Sequence, residues 1–174
     1  MRLTPVALSV ALALATMASA GFSQRPDDVI DQRSTALVQE AQSQTAASRY
    51  NEAIDLLETA LAVDPRNRAA YVALGRVAQA QRLPGKAIGY YADALRIEPN
   101  DQAALAGQGE AYVQRGAVER ARANLTRLRT LCGNSCGAAD QLAAVIQRGP
   151  PAETLAATRP EPAAPPAVTP PRRN

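Results

Sequence analysis

Side chains that commonly carry out catalysis are scarce in this 174-residue chain. It contains no His, so the usual general base and the commonest metal ligand are missing. Its two cysteines, Cys132 and Cys136, are too few to close a zinc site. Nineteen basic and sixteen acidic residues give a net charge of +3, which is too weak for a strong nucleic-acid footprint. The composition therefore predicts neither an enzyme nor a metal, cofactor or nucleic-acid binder.

The two cysteines leave two interpretations open. An even number of cysteines in an exported chain favours a disulfide, and Gly133 and Asn134 between them favour a tight turn. The alternative is a pair of free or redox-active thiols. Their C-x-x-x-C spacing differs from the C-x-x-C of redox motifs, and no basic side chain within the loop lowers a thiolate pKa. A structural disulfide is the preferred prediction, with a thiol–disulfide role as the rival.

The first twenty residues have the pattern of a cleavable signal peptide. A positive start at Arg2 is followed by a short apolar stretch and by the small residues Ala18, Ser19 and Ala20. The apolar run is too diluted for a spanning helix, which needs about 20 predominantly apolar residues. We expect cleavage between Ala20 and Gly21, only transient contact with the membrane, and export to a bacterial periplasm, with secretion as second choice.

Residues 149–174 form a tail rich in Pro and Ala. Eight of the chain's 13 prolines lie there, and proline interrupts both helices and sheet ladders. The segment also has too little apolar surface to offset the entropy of ordering it. We therefore expect an extended, disordered tail, which acts as a solvated spacer unless it binds the chain itself.

Between these ends the sequence repeats every 34 residues. Alternating small and large apolar residues recur at matched positions, which indicates pairs of closely packed helices. The matched sets are Ala53, Ala87 and Ala121; Leu57, Tyr91 and Leu125; and Leu37, Tyr71 and Leu105. Pro84 suits a helix start and Pro99 a helix end, so each unit reads as helix, turn, helix.

This pattern resembles the tetratricopeptide repeat (TPR) family, which is built from 34-residue helical hairpins. The second unit carries the family's signature at Tyr71, Leu74, Gly75, Ala87, Tyr91, Ala94 and Pro99. The third unit departs from it at Gln108, where the family has Leu. The resemblance implies an all-α solenoid of three hairpins at residues 34–67, 68–101 and 102–135. A single capping helix follows at 136–148, and residues 21–33 are expected to lengthen the first helix at its N-terminal end.

The resemblance also implies a binding groove lined by the first helix of each hairpin. Transferring the family's groove positions gives the candidates Val38, Gln42, Thr45, Val72, Arg76, Gln79, Ala106, Glu110 and Val113. Family members that clamp the C-terminal carboxylate of chaperones use Lys and Asn there, which this chain lacks. A peptide or helix held by modest apolar contacts and a few hydrogen bonds fits better.

These observations predict a non-catalytic adaptor that binds a protein partner in the cell envelope. The resemblance to periplasmic repeat proteins implies envelope assembly, cell division or cytochrome maturation, and the residues do not choose among them. Two rivals stay open, which are the thiol–disulfide role of Cys132 and Cys136 and a self-associating element whose groove binds its own tail or another copy.

Overall fold

The computed structural model describes residues 29–133, 136–152 and 154, and within them the chain forms seven α-helices and no β-strand. The helices are α1 (Gln32–Ala46), α2 (Tyr50–Val63), α3 (Arg68–Ala80), α4 (Pro84–Ile97), α5 (Gln102–Gln114), α6 (Val118–Cys132) and α7 (Gly137–Arg148). The predicted signal peptide, with its cleavage site between Ala20 and Gly21, lies outside the described residues, as does most of the tail. No helix in the described part is long and apolar enough to cross a membrane.

Consecutive helices pair into three antiparallel hairpins. Helices α1 and α2, α3 and α4, and α5 and α6 pack along their lengths, and α7 packs on both α5 and α6. The first helices also contact one another, α1 with α3 and α3 with α5, so they form one continuous layer. This arrangement confirms the predicted all-α solenoid of hairpins.

The first helix begins later than the sequence pattern predicts. Val29 and Ile30 are not helical, and Asp31 is the N-cap of α1. The Asp31 carboxylate accepts a hydrogen bond from the Arg33 N–H at 2.8 Å, which satisfies a free donor at the helix start. The predicted extension through residues 21–33 is therefore wrong for residues 29–31, because a capping aspartate stops the helix there.

The three hairpin turns share one backbone geometry. Each contains a residue in the left-handed region, and these residues are Ser48, Arg82 and Gly116, which are 34 positions apart. In each turn the following N–H donates to the carbonyl oxygen five positions back, at 2.8–2.9 Å. Only the third turn has glycine, the residue that this backbone conformation favours. The three turns therefore share a geometry but not a residue type, and the sequence does not reveal the shared geometry.

Glycines in the first helices make space for large side chains from neighbouring elements. The Tyr91 ring of α4 is 1% exposed and lies against Gly75 of α3 and Gly107 of α5. A Cβ atom on either glycine would lie under 3.0 Å from the ring. Gly109 of α5 makes the same kind of space for Leu142 of α7, at 2.6 Å from an ideal Cβ. Backbone approach at these glycines sets how closely the helices stack.

The departure of Gln108 from the family pattern is compensated in the core. Gln108 and Asn124 are both buried, and the Asn124 amide donates to the Gln108 Oε1 and to the Leu105 carbonyl oxygen, each at 3.0 Å. The Gln108 amide in turn points to the Ile88 carbonyl oxygen at 3.5 Å. A buried polar pair is tolerated because its donors and acceptors are satisfied.

The junction between the first two hairpins is held by the Asp64 carboxylate. It accepts hydrogen bonds from the backbone N–H groups of Asp31 and Arg66, both at 3.0 Å. These bonds, with that from Asp31 foremost, hold the pKa of Asp64 below its ordinary value, although burial acts in the opposite direction. The charged form is therefore favoured in the folded protein.

We expect the Asp64 contribution to stability to be lost in acid. Because the pKa is lowered on folding, the contribution is complete above the ordinary value of about 3.9 and disappears as the pH falls through the lowered pKa. Asp64→Asn should therefore destabilise the protein at pH 7 and make little difference at the lowest pH at which the protein stays folded. Urea unfolding of both proteins across this range measures the effect, with Asp55→Asn on the exposed face of α2 as control. A deficit independent of pH would contradict the assignment.

Candidate functional site

The predicted groove positions are brought into one row by the contacts between the first helices. Gln42 of α1, Arg76 of α3 and Glu110 of α5 occupy the same position in successive repeats. Gln42 and Arg76 are exposed, and Glu110 is half-buried. We use the name groove for the surface formed by these three residues with Thr45, Gln79 and Ala106.

Three of the predicted groove residues lie beneath this surface. Val38, Val72 and Val113 are at most 5% exposed, which leaves them unable to contact a partner side chain. Val38 packs in a core cluster with residues of α3, and Val72 packs in one with residues of α5. Their prediction as contact residues is wrong, because the first helices pack against each other and cover the positions between them. The valines form an apolar support below the polar row.

A tyrosine from the second layer of helices reaches Gln79 in the groove. The Tyr91 hydroxyl, which enters between Gly75 and Gly107, donates a hydrogen bond to the Gln79 Oε1 at 2.6 Å. Burial raises the pKa of Tyr91 far above its ordinary value, so the phenol is neutral and can act as this donor. The half-buried Gln79 is therefore held in place by a side chain from the second layer of helices.

Charges of both signs meet at Glu110. Burial raises the pKa of the Glu110 carboxyl, while the positive charges of Arg148 and then Arg76 act in the opposite direction. Arg148 is the last residue of α7 and is not among the predicted groove residues. Its repeat position differs from those of the groove candidates, so sequence spacing alone could not bring it to this site.

One end of the groove opens into a cavity of about 560 Å³. Its walls come from the C-terminal ends of α3 and α5, from the turn after α3, and from the chain that follows α7. The lining residues are Gln79, Ala80, Arg82, Pro84, Gln114, Pro151 and Thr154. The Thr154 hydroxyl donates to the Gln114 carbonyl oxygen at 2.9 Å. The start of the predicted tail therefore returns to the end of the groove.

The cysteines lie at the opposite end of the last hairpin, between α6 and α7. In the structure their sulfur atoms form a disulfide. The two Cα atoms are 5.5 Å apart, which is within the usual range for a disulfide. Cys136 is buried and Cys132 is half-buried. Both belong to or contact the core cluster below α7, so the pair ties the capping helix to α6.

Reduction of this pair is expected to lower the free energy of unfolding. A loop as short as that between Cys132 and Cys136 contributes about 2 kcal/mol in the chain-entropy model. Urea unfolding with and without a thiol reductant measures the difference. The double variant Cys132→Ala/Cys136→Ala should not respond to the reductant. If the parent protein is equally insensitive, its thiols are free and the structural role is wrong.

Within the described residues, no three His, Cys, Asp or Glu side chains converge on a site that could hold a metal ion. What the structure does present is a stack of helical hairpins whose first helices carry an accessible row of polar and charged side chains. These features define a helical-repeat protein with an elongated surface suited to a polypeptide.

The chain belongs to the tetratricopeptide repeat family. The family model described as tetratricopeptide repeat matches residues 38–101 and 73–135, which together span more than half of the chain. No curated protein matches the sequence. The sequence assignment of the repeats thus has independent support from the family model.

Solved TPR structures share the fold at low sequence identity. The Sgt2 TPR domain from Aspergillus fumigatus is 22% identical, with a TM-score of 0.63 over 83% of this chain and 92% of that chain. The first TPR of Spaghetti (RPAP3), bound to the HSP90 peptide SRMEEVD, is 20% identical, with a TM-score of 0.61 over 68% and 95%. The type III secretion translocator chaperone SycD of Yersinia enterocolitica is 17% identical, with a TM-score of 0.60 over 66% and 88%.

Proposed function

We propose that this protein is an adaptor that binds a peptide or helix of a partner protein along the groove, in the cell envelope after export. The observation that carries the proposal is the row of Gln42, Arg76 and Glu110 across three hairpins, with buried valines beneath it. Such a row offers a polypeptide hydrogen bonds and charge contacts at regular intervals on a rigid layer of helices. Nothing in this row calls for a bound cofactor.

Relatives of known structure support the class of ligand. Two TPR domains of Spaghetti (RPAP3) are bound to the HSP90 peptide SRMEEVD, and SycD is a chaperone for a secretion translocator. Family members that clamp a C-terminal carboxylate use Lys and Asn in the groove, and the groove positions of this chain carry neither residue. We therefore infer a ligand recognised through internal residues rather than through a free C-terminus.

The charges indicate what those internal residues carry. Arg76 offers a cation on the exposed face of α3, and Glu110 offers a half-buried carboxylate on α5. A ligand with an acidic and a basic side chain close together in sequence would match both. Electrostatic complementarity of this kind sets register and specificity more than it sets affinity.

A photo-crosslinking residue at Gln42 tests the adaptor role in cells. The matched control is the same residue at Glu58, which is exposed on α2, outside the layer of first helices. We expect crosslinks to a distinct protein from position 42 that are absent from position 58, and weaker capture when Arg76 is replaced by Glu. Equal capture at both positions, or none at position 42, would contradict the adaptor role. Crosslinks to a second copy would favour self-association.

The mass of the protein purified from its own cells tests export. We expect an N-terminus at Gly21, and a mass two daltons below the reduced formula if the cysteines are bonded (two hydrogens lost per disulfide). A retained Met1 with two alkylatable thiols would contradict export and would reopen the thiol–disulfide role.

A further inference from the structure

A second cavity lies where the turns of the second and third hairpins meet. Its volume is about 370 Å³, which is within the range of small-molecule sites. Its walls come from the start of α4, the end of α5 and the turn into α6. The lining residues are Gly85, Ile88, Tyr112, Arg115, Ala117 and Arg120. None of the six groove residues lines it, so its occupant need not be the partner proposed for the groove.

Two guanidinium groups line this cavity in defined positions. Arg115 is the C-cap of α5, and its Nη1 atom lies 3.1 Å from the position of a Cβ on Gly85. The guanidinium can lie against the first turn of α4 because Gly85 has no side chain. Arg120 belongs to the first turn of α6, and its guanidinium carbon lies 5.7 Å from the centre of the Tyr112 ring. This cation–π contact orients the second guanidinium.

Neither guanidinium has a carboxylate partner among the residues that the structure describes. Glu119 is next to Arg120 in sequence, yet its carboxylate pairs with Arg122 at 3.4 Å. Other arginines also form ion pairs, namely Arg33 with Asp31, Arg66 with Asp64, Arg68 with Asp101 and Arg96 with Asp93. Two like charges that line one cavity repel each other, and an anion between them replaces that repulsion with attraction. The cavity therefore offers two cations to a ligand.

The rest of the wall adds a helix start on one side and apolar surface on another. Helix α4 begins at Pro84 without a side-chain cap, so the positive end of its dipole at Gly85 is open to an anion. Ile88 and Tyr112 are half-buried and give the cavity an apolar side. A ligand that uses the whole cavity must therefore join an anionic group to an apolar part.

We propose that this cavity binds a phosphate monoester, with the phosphate between the guanidinium groups of Arg115 and Arg120 and its organic part against Ile88 and Tyr112. A phosphate monoester carries close to two negative charges at neutral pH, which match the two guanidinium charges. Guanidinium groups bind phosphate through paired N–H donors, so two of them can satisfy its terminal oxygens. A single carboxylate would neutralise only one of the two cations.

Nuclear magnetic resonance titration of the purified full chain near neutral pH tests this assignment. The probes are phenyl phosphate, inorganic phosphate and phenylpropionate, compared at one ionic strength. We expect saturable shifts of the Nε–H signals of Arg115 and Arg120, with phenyl phosphate bound more tightly than the other two probes. Tighter binding of phenylpropionate would overturn the choice of phosphate, and equal binding of inorganic phosphate would overturn the apolar contact. Absent shifts, or shifts spread over all exposed arginines, would overturn the site.

Charge-neutralising variants separate the cavity from the general positive charge of the chain. Arg115→Gln and Arg120→Gln should each weaken phenyl phosphate binding by about three- to tenfold, since each removes charged hydrogen bonds at a partly exposed site. Arg96→Gln is the matched control and should bind as the parent does, because Arg96 is exposed, pairs with Asp93 and does not line the cavity. Equal weakening in all three variants would overturn the site. Because no partner protein is present, failure here leaves the capture experiment at Gln42 unaffected.

Discussion

Replacing Tyr91 with alanine is expected to lower the free energy of unfolding by about 3–5 kcal/mol, as large aromatic truncations in cores do. The ring is 1% exposed and fills the slot between Gly75 and Gly107. Removing it leaves a cavity between α3 and α5 that these glycines cannot fill, because they have no side chains. Urea unfolding followed by far-UV circular dichroism measures the loss.

The variant Tyr91→Phe is the matched control, since it keeps the ring and removes only the hydroxyl. That hydroxyl donates to Gln79, which is half-buried and can bind water instead. We expect a cost of only about 0.5–1.5 kcal/mol, typical of one hydrogen bond. A Tyr91→Phe cost as large as that of Tyr91→Ala would show that the hydroxyl, rather than the packing of the ring, holds the two hairpins together. The Phe variant also tests whether an unanchored Gln79 weakens groove binding.

Replacing Leu142 with alanine is expected to cost about 2–5 kcal/mol and to release α7 from the end of the stack. Leu142 is fully buried, and its methyl groups lie against Gly109 of α5. A terminal repeat exposes an apolar face unless a cap covers it, so loosening α7 should expose the core of the last hairpin. Hydrogen exchange of α7 amides, measured with the global stability, distinguishes local release from general destabilisation.

A double-mutant cycle checks that this contact is specific. Gly109→Val alone should destabilise by about 1–3 kcal/mol, because its side chain overlaps with Leu142. In the Leu142→Ala background the same substitution should cost much less, since the space is then free. Gly89→Val is the control, because a Cβ at that position meets no atom within 4 Å. Additive costs would contradict the proposed contact between α5 and α7.

The predicted losses of stability on replacing Tyr91 and Leu142, and the arrangement of the candidate site, all depend on the layer of first helices. Gly75, Gly107 and Gly109 allow partner side chains to enter that layer from behind, so the helices can stack closely. Close stacking buries the valines between the helices and leaves Gln42, Arg76 and Glu110 on the accessible side. Substitutions that alter the packing of Tyr91 or Leu142 against these glycines should therefore change the spacing of the groove residues and also reduce stability.

Most of the architecture could be predicted from the sequence because it depends on local periodicity. The 34-residue spacing of Ala53, Ala87 and Ala121, with a large residue four positions later in each unit, places a small and a large side chain on one helix face. The start of α4 at Pro84 and the position of α7 were predicted from the same 34-residue spacing. The order of helices, their approximate ends and the identity of the capping helix needed no knowledge of distant contacts.

The groove was predicted only in part, because repeat position does not reveal which neighbour covers a residue. Val38 and Val72 were predicted as contact residues from their repeat positions, yet the adjacent first helix buries them. Arg148 and Thr154 were not candidates, since they come from the end of the cap and the chain beyond it. Their nearness to the groove depends on how α7 packs on α5.

The sequence by itself determined the repeat, the helical hairpins and the spacing of small and large residues, because a helix presents side chains at a period set by its own backbone. Only the tertiary structure decided that Gln108 is satisfied by Asn124, that the valines are covered, and that Glu110 lies near both Arg76 and Arg148. Each of these depends on contacts between separate helices. Their distances and burial are set by how closely the hairpins stack, which no periodicity within one helix encodes.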